Sequence, residues 1–406
     1  MNEAPQFDSD PSEAQGSYRF LGPILYFLFA VGPLVSNAVL VLLGTISADF
    51  VVNPTAVLIA YPAFMFPFAI FQLFSGAISD VYGRVVCIVG GLAIFIVGIV
   101  IIILSTSIEL LAVGNLVAGI GFGFSNPALL ALLSDSTFPE DIPRRMGIAS
   151  ALATFSVGLG PFIAGQMVVI SWQSYYILFL IIVIISTILL MITDRPPKRI
   201  HGETGVRVFL SNLGTEIRKP IVILMLFTAF MVSLTYMGTL IWTSRGLTGA
   251  LDETLIGVLL LCAGVSSGVA GFLLGSIVRR YSYEPPLAIG FVAMLGGASL
   301  LILAGDITLT SSIMLVLLGL ITVGWGGGFL FPIVITYSQV FSPEHRGVLT
   351  GVVTFAFFLG LALIPTVYEP LFNIGMTFVY MGILAASILL MVLFVILYRA
   401  MQSNVS

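Results

Sequence analysis

From Met146 to Thr193 the chain reads MGIASALATFSVGLGPFIAGQMVVISWQSYYILFLIIVIISTILLMIT, 48 residues without one Asp, Glu, Lys or Arg. A helix crosses the hydrocarbon of a bilayer in about 20 apolar residues. The stretch holds two such lengths, and its one polar break, Ser171-Trp172-Gln173-Ser174, falls where a turn between them belongs. An ionised side chain at the bilayer centre costs about 2.5–3.5 kcal/mol on insertion scales. A run this long and this free of charge therefore predicts two membrane helices joined by a tight turn.

Outward from that pair, membrane-length runs are bracketed at 21–47, 54–79, 85–105, 110–134, 146–168, 175–193, 220–244, 254–278, 285–305, 308–333, 347–368 and 375–398. None of the 15 Lys and Arg or the 19 Asp and Glu lies inside a run. The chain is 59% hydrophobic and 8% charged, which excludes a soluble domain and predicts a twelve-span, all-α membrane protein. With twelve spans the termini and the even loops share one side, and 14 of the 15 basic residues fall there, Arg245 alone on the other. The positive-inside rule then places both termini in the cytoplasm of a cell-membrane protein. The acidic first segment (Glu3, Asp8, Asp10, Glu13) has no cleavable basic signature, so the first span is expected to stay. Two cysteines, Cys87 and Cys262, form no disulfide framework and no metal-ligand spacing.

The chain also repeats itself. Gly114, Gly119, Gly121, Gly123 and Pro127 recur 205 residues later as Gly319, Gly324, Gly326, Gly328 and Pro332. Gly147, Thr154, Phe155 and Gly160 recur 200 later as Gly347, Thr354, Phe355 and Gly360. Parallel duplicated halves place a solute site near the midplane between them. The expected organisation is a tail at 1–20, a six-helix bundle at 21–193, a linker at 194–219, a second bundle at 220–398 and a tail at 399–406. The run Gly324-Trp325-Gly326-Gly327-Gly328 has no following Lys-Ser/Thr and no preceding strand, so it is not a nucleotide loop. Small residues in a span let helices approach closely.

After the second span comes Gly76-Ala77-Ile78-Ser79-Asp80-Val81-Tyr82-Gly83-Arg84. It resembles the G-x-x-x-D-x-x-G-R signature of the major facilitator superfamily, whose Asp is expected to latch onto the facing half. The matching place in the second half, Gly275-Ser276-Ile277-Val278-Arg279-Arg280, lacks the acid. Gly158-Leu159-Gly160-Pro161-Phe162-Ile163-Ala164-Gly165 resembles the antiporter element G-P-x-x-G-G, with Ala164 in place of a glycine. Gly32-Pro33-Leu34-Val35-Ser36-Asn37 looks like the opening of bicyclomycin/chloramphenicol-type drug:proton antiporters. Those proteins carry Asp where this chain has Asn37, and Arg in span four where it has Asn115. The resemblance implies the major facilitator fold, with Gly76, Asp80, Gly83, Arg84, Gly160 and Pro161 in conformational gating.

Losing one member of a buried ion pair costs about 3–5 kcal/mol, whereas losing both can be nearly neutral. The paired departure at Asn37 and Asn115 therefore reads as coordinated. Asn cannot carry a proton, so midplane carboxylate coupling is expected to be absent, leaving a facilitator or coupling through a rim acid. Asp49, Glu109, Asp306 and Glu369 are candidates at one rim, Asp80 and Asp135 at the other. By resemblance, spans one, four, seven and ten line the cavity, and the candidate substrate residues are Asn37, Asn115, Asn126, Ser233, Tyr236 and Trp325. Ser36, Ser125, Thr154, Ser156, Thr228, Ser266 and Thr322 also lie near the midplane, where hydroxyls commonly bond back to their own helix. Arg245 is expected either to steer an anion or to cap the seventh span.

The expected function is secondary transport of a small neutral or amphipathic organic solute, drug-efflux-like, by alternating access. The alternatives are a facilitator of a neutral metabolite such as a sugar or nucleoside, and a transporter-like receptor or scaffold. The expected partners are the solute and the lipid bilayer, with proton or ion coupling left open. No cofactor, metal, nucleic acid or enzyme activity is implied, and the chain is expected to act as a monomer.

Overall fold

The computed structural model describes residues 20–138, 140–194, 206–305 and 310–405. The acidic first segment, the linker stretch 195–205 and Asp306 lie outside them. Among the described residues, twelve apolar helices are long enough to cross a membrane. In the first half these are α1 (Leu21–Leu40), α2 (Pro54–Tyr82), α3 (Arg84–Ile103), α4 (Ile108–Asp135), α5 (Arg144–Met167) and α6 (Trp172–Ile192). In the second they are α7 (Pro220–Leu247), α8 (Glu253–Tyr281), α9 (Glu284–Ala304), α10 (Ser312–Phe341), α11 (Arg346–Phe372) and α12 (Met376–Gln402).

Capping residues set several starts. Ser107 accepts from the amide of Leu110, Ser171 from Ser174 and Asp252 from Leu255, opening α4, α6 and α8. The polar break in the opening stretch is therefore the α5–α6 turn. Gly83, at φ 104°, turns α2 directly into α3 in a conformation that side-chain-bearing residues rarely adopt.

The first run is not one helix to residue 47. It ends at Asn37, tightens into a 3₁₀ turn over Ala38–Leu40, and resumes as a separate helix at Leu43–Phe50. Pro33 and the Asn37 side chain explain the break. The amide of Asn37 donates to the carbonyl of Pro33 at 2.8 Å, a side-chain bond that competes with the helix ladder.

Repeated residues make repeated contacts. Gly114 and Gly121 meet α3 at Ile102 and Phe95, and their counterparts Gly319 and Gly326 meet α9 at Leu301 and Met294. Gly119 and Gly123 lie on backbone carbonyls of α2, as Gly324 and Gly328 do on those of α8. Gly160 packs on Leu34 of α1, and Gly360 on Phe230 and Ser233 of α7. The halves are two copies of one packing scheme. They join chiefly through α5 against α8 and α2 against α11. On the outer surface Ile181, Ile185 and Ile188 of α6 are each about half exposed (51%, 51% and 52%), a surface suited to lipid and costly in water.

Candidate functional site

The described ends of the chain, Phe20 and Val405, and nearly all the described basic residues mark one end of the bundle, here the basic face. Midway between the faces a ladder of phenylalanine rings crosses from one half to the other. Phe122 of α4 stacks on Phe68 of α2 with centroids 5.4 Å apart, and Phe68 meets Phe358 of α11 edge-on at 4.6 Å. Phe358 is 5.4 Å from Phe357, which is 4.0 Å from Phe331 of α10. Phe122 lies against Gly32 of α1, where a methyl group could not fit. Edge-to-face and offset pairs of this kind add about 0.5–1.5 kcal/mol each beyond their buried area.

Uncharged polar groups flank the ladder. Asn37 is buried, donates to Pro33, and has Tyr61 of α2 at 3.5 Å from its amide oxygen. Asn115 is also buried and donates to the carbonyl of Leu111 at 2.9 Å on its own helix. No hydrogen bond joins the two asparagines. Asn126 is half-buried on the face of α4 that carries Asn115 and Phe122, four residues beyond the ring. The ring of Tyr236 lies on Gly327 of α10. Its hydroxyl is buried without a hydrogen-bond partner, as are the Ser267 hydroxyl of α8 and, on α2, the Gln72 amide nitrogen and the Ser75 hydroxyl. Native interiors rarely leave such groups unmatched.

Ser233 and Trp325 have other packing partners. Ser233 is fully buried, donates to Phe230 of its own helix and fills the notch at Gly360, so it serves α7–α11 packing. Trp325 is half-buried on α10, its ring 5.6 Å from that of the fully buried Phe329, on the helix face that also carries Leu318 and Met314, which are 44% and 57% exposed. The sequence reading missed Tyr61, Gln72, Ser75 and Ser267. A signal was present for α2, where Tyr61, Phe64, Phe68, Gln72, Ser75 and Ser79 recur at helical spacing along one face and all are buried.

At the face opposite the termini the halves are clamped. Ser244 donates to the carbonyl of Leu40. Arg245 donates to Thr55 at 2.9 Å and to Asn53 at 3.3 Å, with its guanidinium 4.8 Å from the Phe372 ring. It therefore reaches across to the other half rather than capping its own helix. Thr45 donates to Glu253 at 2.9 Å and Thr254 to the carbonyl of Gly165 at 3.1 Å. A methyl group on Gly158 would stand 2.6 Å from the carbonyl of Leu260, and one on Gly264 2.8 Å from the Gly158 backbone.

Toward the basic face the same seam loosens. A methyl group on Gly268 would meet Phe155 only at 4.0 Å, and Gly275 and Gly147 have nothing within 4 Å. Asp80 pairs with Arg84 at 2.5 Å, and Arg84 also binds Ser79 at 2.6 Å and Asp135 at 3.4 Å, all within the first half. The expected latch onto the facing half is thus not engaged in this conformation. A helix at Val206–Glu216 rests on both α2 and α11. Its last residue, Glu216, has a 4%-exposed side chain and accepts from Lys219 at 2.7 Å and His345 at 3.0 Å. Burial disfavours the charged form, yet the hydrogen bonds and charges of Lys219 and His345 outweigh it and hold the Glu216 carboxyl below the usual carboxylate range.

The family model described as Major Facilitator Superfamily matches residues 25–365. The methylenomycin A resistance protein of Bacillus subtilis (strain 168) is 33% identical over 117 residues, 28% of this chain and 25% of that protein. The matched stretch thus spans about a quarter of that relative's length. An uncharacterized MFS-type transporter of the same strain, YceJ, is 26% identical over 306 residues, 73% of this chain and 75% of that one. In three dimensions the chain is similar to the crystal structure of a mutant of the nucleoside transporter NupG, with a TM-score of 0.74 at 11% identity. That match covers 93% of this chain and 100% of the other, a likeness of fold.

Proposed function

The chain belongs to the major facilitator superfamily, and on that premise we propose that it moves a small neutral or amphipathic organic solute by alternating access. One observation carries this reading. Among the described residues the centre between the halves offers phenyl rings, amides and hydroxyls, while Asp, Glu, Lys, Arg and His stand only at the ends of the spans. A centre without charge has nothing to pair with a carboxylate, phosphate or ammonium group, and stranding such a group there is costly. Rings and uncharged hydrogen-bonding groups suit a molecule with a flat apolar body. The relative named for methylenomycin A resistance supports an efflux-like role. The amides of Asn37, Asn115 and Asn126 also favour a second reading, facilitated passage of a neutral metabolite.

In this reading the basic face is cytoplasmic, the protein sits in the cell membrane as a monomer, and the conformation described here is sealed outside and parted inside. Asp80 and Arg84 form the inner gate, paired with each other and with Asp135 rather than with the facing half in this state. The Gly160-Pro161 segment holds α5 against α1 and α8 at the outer seal. Asn37, Asn115, Asn126 and Tyr236 face the solute, Ser233 leaves the set because it fills the notch at Gly360, and Trp325 borders the set beside Phe329.

Coupling through a midplane carboxylate has no group to run on, since Asn37 does not titrate. Proteoliposomes loaded with labelled chloramphenicol, a neutral aromatic amide, test this. Saturable flux that an imposed pH gradient does not drive uphill is expected. Substrate-driven proton movement that persists after Asp49→Asn and Asp80→Asn would overturn it.

A further inference from the structure

Outside the spans, a cluster of titratable side chains sits at the basic face, where the Val206–Glu216 helix rests on α2 of one half and α11 of the other. Those are helices whose inner-end glycines, Gly76 and Gly347, have nothing within 4 Å. Glu216 ends the linker helix. Its Oε1 accepts from Lys219 at 2.7 Å and from Nδ1 of His345 at 3.0 Å. Its Oε2 is buried without a partner. His345 closes the 3₁₀ turn Pro343–His345 that leads into α11, so the clasp fastens the linker helix to the second half.

The charges around the clasp leave one variable. Lys219 lies 5.6 Å from the centroid of the Phe341 ring at the end of α10, a helix that carries no charged residue. Arg218 adjoins Lys219, and Glu344 and Arg346 flank His345 in the chain. On α2, Asp80 is taken up by Arg84. Lysine and arginine stay charged through the physiological range, while histidine is the side chain that ordinarily changes charge between pH 5 and 8. An ionised carboxylate only accepts, so Nδ1 carries the hydrogen in either state of the ring. A second proton, on Nε2, turns that neutral bond into a charge-assisted one, roughly twice as strong. Both donors share one carboxylate oxygen, so Glu216 has no bond on Oε2 to offset a weakened one.

Resting on the alternating access proposed above, we propose that the Val206–Glu216 helix is a strap tightened by protonation of His345. Docked on α2 and α11, it holds the basic face parted. Closing that face as tightly as the sealed one brings the inner ends of α2 and α11 together and displaces a helix that rests on both. The proton enters and leaves from one face, so it sets the population of the parted state without being carried across. Acid on the basic side therefore retains the parted state but supplies no driving force, which separates this device from proton coupling.

Double electron–electron resonance on the full chain in nanodiscs tests this. Spin labels at Tyr82→Cys and Tyr281→Cys report the distance between the halves at the basic face, with Cys87→Ser and Cys262→Ser removing the native thiols. From about pH 8 to about pH 5.5 the ratio of long to short distances is expected to rise about two- to fivefold, the range of a partly exposed ion pair. His345→Asn keeps a donor near the Nδ1 position but takes up no proton, and should flatten that response. Glu216→Gln should lower the ratio at both pH values. Gly158→Leu, which opens the opposite face, should shift the ratio toward short distances at either pH and serves as the reference for a working cycle. A ratio that ignores pH, or a pH response that survives His345→Asn, overturns the strap, while the Gly158→Leu shift keeps alternating access standing. A single distance in every variant removes alternating access and the strap with it.

Discussion

The two ends of the α5–α8 seam are built from similar residues and do opposite things. Near Gly158, Gly264 and Gly165 the backbones touch, and side chains of each half bind the other across the gap. Eleven residues from Gly158 and Gly264, at Gly147 and Gly275, glycines still stand on the seam with open space before them. Small residues permit close approach without enforcing it. What distinguishes the sealed end is its second set of contacts, in which Arg245 and Glu253 of one half bind Asn53, Thr55 and Thr45 of the other. An alternating-access protein needs such ends to trade states. In the alternating access proposed above, the glycines that are slack here would be the contact points of the other conformation.

The largest expected effect comes from filling the sealed end. Gly158→Leu drives a side chain into the Leu260 carbonyl, an overpacking that costs about 1–3 kcal/mol. The open state at that face should gain population by about 5- to 150-fold. Spin labels placed at positions 51 and 250, on the two halves, should report a longer distance. Gly275→Leu, at the slack end, should leave that distance unchanged. Equal responses from the two substitutions would mean that the glycines do not mark the difference between the ends.

Removing the charged clamps is the next test. Arg245→Ala loses two donors and a ring contact, and Glu253→Gln weakens the acceptor for Thr45. Each should cost about 1 kcal/mol, since both groups are partly solvated. The same spin-label pair should lengthen in a several-fold larger fraction of molecules. The double variant should exceed either single one, because the two clamps hold separate points of the rim. If neither variant moves the distance, the glycine contacts alone hold the seal.

The difference between the ends was only partly legible in the sequence. Twelve spans and the repeat follow from charge exclusion and spacing, the gating motifs from their resemblance to the superfamily's signatures, and the structure gives Gly114 and Gly319, and Gly160 and Gly360, equivalent contacts as the repeat requires. The directions of side chains within spans do not follow. In water a helix shows its buried face by polarity. In a bilayer both the lipid face and the interior are apolar, so α10 gives no sign that Trp325 packs beside Phe329 while Gly327 two residues on receives Tyr236. Arg245 was visible as a lone charge, but its partners lie some 190 residues away in sequence. Gln72 and Ser75 were ordinary midspan residues until the fold left the Gln72 amide nitrogen and the Ser75 hydroxyl buried without a hydrogen-bond partner.

The smallest effect concerns the one brace across the loose end. The Val206–Glu216 helix touches both α2 and α11, and Glu216 fastens it through Lys219 and His345. Because the folded state holds the Glu216 carboxyl below its ordinary range, the clasp stabilises the docked helix at neutral pH. That contribution is fully present above the unfolded value of about 4.3 and is lost as pH falls through the lower folded value. With Lys219 44% exposed, the clasp should contribute no more than about 1 kcal/mol. Hydrogen exchange of the 206–216 amides, corrected for its intrinsic pH dependence, should show protection that declines as the carboxyl protonates. Glu216→Gln should begin less protected and lose that decline. A wild type and variant that track each other through acid would show that the helix is held by its apolar contacts alone, and that the loose end has no charged fastening to set against the clamps of the sealed one.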